Sequence, residues 1–206
     1  MSESVILVHG IWMVGAELWP LARRLRHCGY APRFFTYRSL RRSPAHNAAR
    51  LARFIQRQPA ETIHLVAHSL GGLVILQALQ DHPDLVSGRI VLLGSPVQGS
   101  AVAGRLHRYA VTRWLVGRSA ERGLLGDGPR WQGAQDLGVI AGTRPLGMGR
   151  MVGGLPGDND GTVAVAETVL EGARDTLICH TTHMGLVYSR DVAAAVCHFL
   201  QSGRFR

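Results

Sequence analysis

The 206 residues are 46% apolar and 18% charged, a balance that excludes a disordered chain and predicts a single domain, 1–206, with a full hydrophobic core. No apolar run approaches the roughly eighteen residues of a membrane span, and Met1-Ser2-Glu3-Ser4 with four apolar residues behind it is not a secretory leader, so the expected location is cytoplasmic. The net charge is +9 with arginine as the basic residue and no lysine, and Cys28, Cys179 and Cys197 read as buried thiols of a reducing compartment.

Val5 to Val8 is a continuous apolar run, the pattern of a strand buried on both faces. Leu18, Leu21, Ala22, Leu25 and Cys28 recur at helical spacing, and Gly29 ends that helix. Arg33 to Tyr37 reads as a second strand. Ser43-Pro44 is an N-cap with proline at the first helical position, and Ala48, Leu51, Ala52 and Ile55 supply the buried stripe. A third strand over 62–67 leads through Ser69 into a helix over 70–81. Arg89 to Leu93, Leu137 to Ala141 and Thr176 to Cys179 are three more strands. Residues 101–117 predict one helix with Leu106, Ala110 and Trp114 on one face, and Val187 to Leu200 a closing helix. Six strands alternating with helices predict an α/β domain, its sheet mainly parallel with helices on both faces. The glycine-rich stretch 143–159 reads as a flexible loop.

In such a sheet, functional residues gather beyond the carboxyl ends of the strands. After the first strand comes His9-Gly10-Ile11. His9 reads as a structural residue bonding loop backbone, and Gly10 permits a turn that brings the Ile11 N–H toward that of Leu70 as a two-donor oxyanion hole. After the third strand comes Ala67-His68-Ser69-Leu70-Gly71, a serine on a tight strand-to-helix turn with small residues two before and two after it. After the fifth comes Asp158-Asn159-Asp160-Gly161, and after the sixth His180-Thr181-Thr182-His183. Serine, acid and histidine in that order are a nucleophile, an orienting carboxylate and a base. A metal site at His180 and His183 lacks a third ligand nearby, and Gly147-Met148-Gly149-Arg150 precedes no helical pattern, so no metal, dinucleotide or other cofactor is implied.

Val8-His9-Gly10-Ile11, Ala67-His68-Ser69-Leu70-Gly71 and His183-Met184-Gly185-Leu186 resemble segments of the small bacterial lipases and esterases of the α/β-hydrolase superfamily, particularly the minimal Bacillus-type lipases. Leu93-Gly94-Ser95-Pro96-Val97-Gln98-Gly99-Ser100 resembles a loop of the wider lipase family, and Asn159-Asp160-Gly161-Thr162-Val163 resembles lipid deacylases of the broader superfamily. The resemblance implies Ser69 as nucleophile, Asp160 in preference to Asp158 as the acid, and His183 in preference to His180 as the base. It implies hydrolysis of carboxylic esters, lipid-like or acyl, through an acyl-enzyme. An acyltransferase, thioesterase or amidase would use the same triad, and a non-catalytic binding domain would need none of it. The loop 143–159 is longer than in the minimal lipases, and residues 101–130 fall where larger lipases place a lid or cap. The plainer reading of 101–117 is a sheet-packing helix.

Residues 18–60 hold ten arginines and no acid. Arg38, Arg41 and Arg42 follow the second strand's carboxyl end, on the expected rim of the site, where they suit an anionic membrane surface or acidic substrate. Nucleic acid is not expected, because no aromatic residues interleave with the run.

Overall fold

Apolar runs without alternation build the centre of the sheet. In the computed structural model, which describes residues 3–120, 123–151 and 153–206, strands β1 (Ser4–Val8), β3 (Ile63–His68), β4 (Ile90–Leu93) and β5 (Leu137–Gly142) are buried along their whole length. The strands β2 (Ala31–Phe35) and β6 (Asp175–Cys179) lie at the two edges and are only partly covered, β6 alternating half-buried and exposed positions. The order is β2-β1-β3-β4-β5-β6, and every pairing is parallel.

Side chains alternate across the sheet, so neighbouring residues of β1 enter different cores. Val5 and Leu7 join helices α1 (Trp19–His27), α7 (Gly185–Tyr188) and α8 (Arg190–Ser202) on one face. Ile6 and Val8 face α2 (Pro44–Gln56) and α3 (Leu70–Asp81) on the other, with α4 (Ala101–Arg108), α5 (Ala110–Val116) and the short α6 (Met148–Met151) at the same side. The Ser43 hydroxyl accepts from the His46 N–H and caps α2, and Ser189 does the same for α8 through Val192. Met1, Ser2, Glu121, Arg122 and Val152 lie outside the described residues, and with them parts of the segments 101–130 and 143–159.

Two expectations are corrected here. The helix expected over 101–117 is two helices, because Tyr109 is extended and the Thr112 hydroxyl, at 2.7 Å, takes the Leu106 carbonyl that a continuous helix would have bonded. Ala110 and Trp114 are consequently exposed, and only Leu106 of the expected stripe is buried. Second, Cys28 and Cys197 are not thiols: they form a disulfide, because α1 and α8 lie side by side on one face of the sheet although 169 residues separate the two cysteines. Cys179, on the edge strand β6, is free and half-buried.

Candidate active site

The turn between β3 and α3 is one residue wide, and Ser69 occupies it with φ 55° and ψ −125°, a conformation uncommon for any residue but glycine. Its N–H donates to the Leu93 carbonyl at 2.9 Å, which anchors the turn to β4. Gly71 is required two residues on: a Cβ there would lie 2.6 Å from the Val8 carbonyl oxygen and 2.7 Å from that of His9. This close approach brings the end of β1 against the first turn of α3. A Cβ on Gly10 would likewise stand 3.0 Å from that of Ser69, so the loop carrying Ile11 lies directly over the serine.

His9 is fully buried beneath that loop. Its Nε2 accepts from the Tyr37 N–H at 3.2 Å, so its Nδ1 carries the proton and donates to the Gly10 carbonyl at 2.8 Å. The Tyr37 hydroxyl donates to the His9 carbonyl at 2.8 Å, and the two rings stack 4.2 Å apart. Burial pushes the His9 pKa below 6.5, in keeping with a neutral structural imidazole. Beyond Ile11, Trp12 also has a positive φ, 60°, and its indole N–H donates to the Leu115 carbonyl at 2.6 Å. The first loop is therefore tied to α5.

Asp160 is 1% exposed and lies in the connection between β5 and β6. Its Oδ2 accepts from His183 Nδ1 at 2.6 Å, and its Oδ1 accepts the backbone N–H groups of Thr162 and Val163 at 2.9 and 2.8 Å. The Asp160 carbonyl also accepts the His183 N–H at 2.9 Å, so backbone and side chain both fix the pair. With Nδ1 bonded to a carboxylate, Nε2 is the nitrogen left to accept a proton. Asp158 and His180 are exposed, and the His180 ring has a hydrogen bond with the Thr143 hydroxyl at 3.4 Å.

Ser69 and His183 line one cavity of about 260 Å³ together with Gly10, Ile11, Trp12 and Met13. Its other walls include Leu146, Met148 and Met184, so it is mostly apolar. Among the described residues no hydrogen bond joins the Ser69 hydroxyl to His183; such bonds often tighten only around substrate. A larger cavity, about 570 Å³, lies elsewhere, between Gln98, Trp131 and Glu171, and none of Ser69, Asp160 and His183 lines it.

Sequence reasoning passed over His68. It is 1% exposed, its Nε2 donates to the His183 carbonyl at 3.1 Å, and its ring lies 4.6 Å from the His183 ring. Burial, then the neighbouring His183, pushes its pKa well below 6.5. Its only signal in the sequence was its place beside Ser69.

A parallel six-stranded sheet with a serine on a one-residue turn after β3, and an Asp–His pair after the later strands, defines an α/β hydrolase. The chain matches the alpha/beta hydrolase family over residues 5–200 and belongs to it. It is similar in structure to Bacillus licheniformis lipase BlEst2, with a TM-score of 0.77, 19% identity, and coverage of 98% of this chain and 92% of that one. It is also similar to a metagenomic carboxyl esterase, at TM-score 0.64, 20% identity and coverage of 88% and 64%. A third similar structure is the pyrethroid hydrolase PytH, at TM-score 0.66, 14% identity and 98% coverage of both chains. No curated protein sequence matches.

Proposed function

We propose that the chain is a serine hydrolase of carboxylic esters, with Ser69 as nucleophile, His183 as base, Asp160 as the carboxylate that orients it, and the Ile11 and Leu70 N–H groups as the oxyanion hole. The observation that carries the reading is the 2.6 Å contact between buried Asp160 and His183 beside a cavity that both His183 and Ser69 line. His183 Nε2 takes the Ser69 proton as the hydroxyl oxygen attacks the ester carbonyl. The tetrahedral intermediate places its negative oxygen against the two backbone N–H groups, each worth about 3–4 kcal/mol of barrier. Collapse breaks the ester C–O bond, the alcohol leaves with the proton from His183, and an acyl-enzyme remains on Ser69. Water, deprotonated by His183, attacks that acyl group and releases the acid.

The apolar lining from Ile11, Met13, Leu146, Met148 and Met184 favours an acyl or lipid-like ester. Exposed Arg38, Arg41 and Arg42 suit acidic substrates or anionic lipid at its approach. The Cys28–Cys197 disulfide supports an oxidising compartment, against the cytoplasmic one expected from the sequence.

A fluorophosphonate probe followed by peptide mapping tests the nucleophile, with turnover of p-nitrophenyl acyl esters measured beside acyl-CoA and amides. The expected result is labelling at Ser69, lost with Ser69→Ala, and turnover of the esters. Labelling elsewhere, or ester turnover undiminished in Ser69→Ala, would overturn it. Preference for acyl-CoA or amide would move the substrate class and leave the triad.

A further inference from the structure

Val111 is 82% exposed and Trp114 68% exposed, and three residues apart on α5 they share one face. Tyr109, at the start of that helix, is 60% exposed, and Met151, the last residue of α6, 85%. A folded chain seldom leaves so many large apolar side chains in one region uncovered. Their placement relative to the cavity is fixed by hydrogen bonds. The Trp12 indole, part of the cavity wall, holds the Leu115 carbonyl of α5 at 2.6 Å. The Arg105 guanidinium of α4 donates to the Gly154 carbonyl, which joins this helix pair to the segment around α6 that supplies Leu146 and Met148.

The arginine-rich rim adjoins the same helix. The Arg118 N–H, just beyond α5, donates to the Leu40 carbonyl at 3.0 Å, inside the segment holding exposed Arg38, Arg41 and Arg42. Residues 101–120 add Arg108 and Arg113, both exposed, and contain no acid. Apolar side chains on a helix tied to the cavity wall through Trp12, with exposed arginines beside them, match the two layers of an anionic bilayer: acyl chains for Val111 and Trp114, headgroups for Arg38, Arg41 and Arg42. No helix among the described residues is long and apolar enough to cross a membrane, so the contact is peripheral.

We propose that the exposed face of α5, with the Arg38–Arg42 segment beside it, docks the chain onto anionic lipid surfaces and presents the Ser69 cavity to them. The proposal rests on the esterase reading for its purpose but not for its binding step. A second copy of this chain fits less well, because the self-association of a face this basic would bring like charges together.

The test is flotation with vesicles of phosphatidylcholine alone or with phosphatidylglycerol, at low and high salt. The parent, a Ser69→Ala protein, Val111→Ser/Trp114→Ser and Arg41→Glu/Arg42→Glu are compared. The parent and Ser69→Ala are expected to bind the anionic vesicles equally well, and high salt to weaken that binding. Each arginine near such a surface multiplies partitioning about fivefold, so the charge-reversed protein loses at least about twenty-five-fold. Removing the two apolar side chains costs about tenfold or more. Val111→Ser/Trp114→Ser, which alters no residue of the cavity, is expected to hydrolyse a soluble short-chain ester like the parent, which separates failure of docking from failure of the esterase reading. Equal binding to both vesicle types, or binding unchanged in both surface variants, would overturn the proposal. So would an α5-dependent dimer by sedimentation in place of vesicle binding.

Discussion

The His183 carbonyl is held by the ring of His68, through Nε2 at 3.1 Å, so the residue preceding the candidate nucleophile grips the backbone of the candidate base. Replacing His68 by Phe keeps a ring but removes the donor and leaves a buried carbonyl unpaired, at a cost of about 1–3 kcal/mol. The expected outcome is a kcat lower by about ten- to a hundredfold with KM nearly unchanged, because small misplacements of a base slow the chemistry more than binding. His68→Gln, which can still donate, is expected to recover part of the loss. Steady-state kinetics on a soluble ester check both; a change confined to KM would contradict this role.

Asp160 and His183 each have a near neighbour of the same type in sequence, and the structure separates them by burial. Asp160→Asn is expected to lower kcat by about 10⁴, since the amide favours the wrong imidazole tautomer. His183→Ala should reduce kcat at least as much. Asp158→Asn and His180→Ala alter exposed side chains and are expected to remain within about threefold of the parent. Single-turnover rates in the four variants give the comparison.

The Cys28–Cys197 link closes most of the chain into one loop, its ends 169 residues apart. In the chain-entropy description such a closure stabilises the folded state by about 5 kcal/mol. A Cys28→Ser/Cys197→Ser protein is therefore expected to unfold at markedly lower urea, and the parent in reductant to approach it. α8 follows directly on the segment carrying His183, and the Arg24 guanidinium holds the Tyr188 carbonyl at 2.6 Å and that of Ser189 at 3.1 Å. Activity should thus fall on heating before the rest of the fold is lost.

Buried imidazoles set the acid limit. Burial pushes His9, His64 and His68 below 6.5, so each stays neutral in the folded chain after its unfolded counterpart has begun to take a proton. Below about pH 6.5 the unfolded state binds more protons, and stability falls as the pH falls, by up to about 1.4 kcal/mol per pH unit for each histidine. Above that pH these groups contribute no slope. Urea midpoints between pH 5 and 7.5 measure this, and His68→Gln is expected to flatten the dependence.

Local chemistry carried most of the fold into the sequence. The buried runs at Val5–Val8 and Leu137–Ala141 and the Ser43-Pro44 cap are readable because each is specified by contiguous residues. β2 lies two residues earlier than expected, at Ala31–Phe35, and takes in Pro32, which is tolerated in an edge strand, where one side of the backbone has no partner. The break at Tyr109 depends on the hydroxyl of Thr112 finding the Leu106 carbonyl, a competition that apolar spacing does not report. The disulfide and the grip of His68 on His183 join residues far apart in the chain, and only the packed sheet brings them together. The candidate site was legible as three residues that each follow a strand, and the structure sets Asp160 against His183 beside a cavity that His183 and Ser69 line.

The positive φ of Ser69 sets stability against reactivity at a single position. A serine in that conformation costs of order 1–3 kcal/mol, which glycine would not incur. Ser69→Gly is accordingly expected to melt above the parent while lacking the hydroxyl altogether. Selection of this chain for heat tolerance alone would favour discarding the candidate nucleophile, so a search for sturdier variants has to score turnover alongside melting.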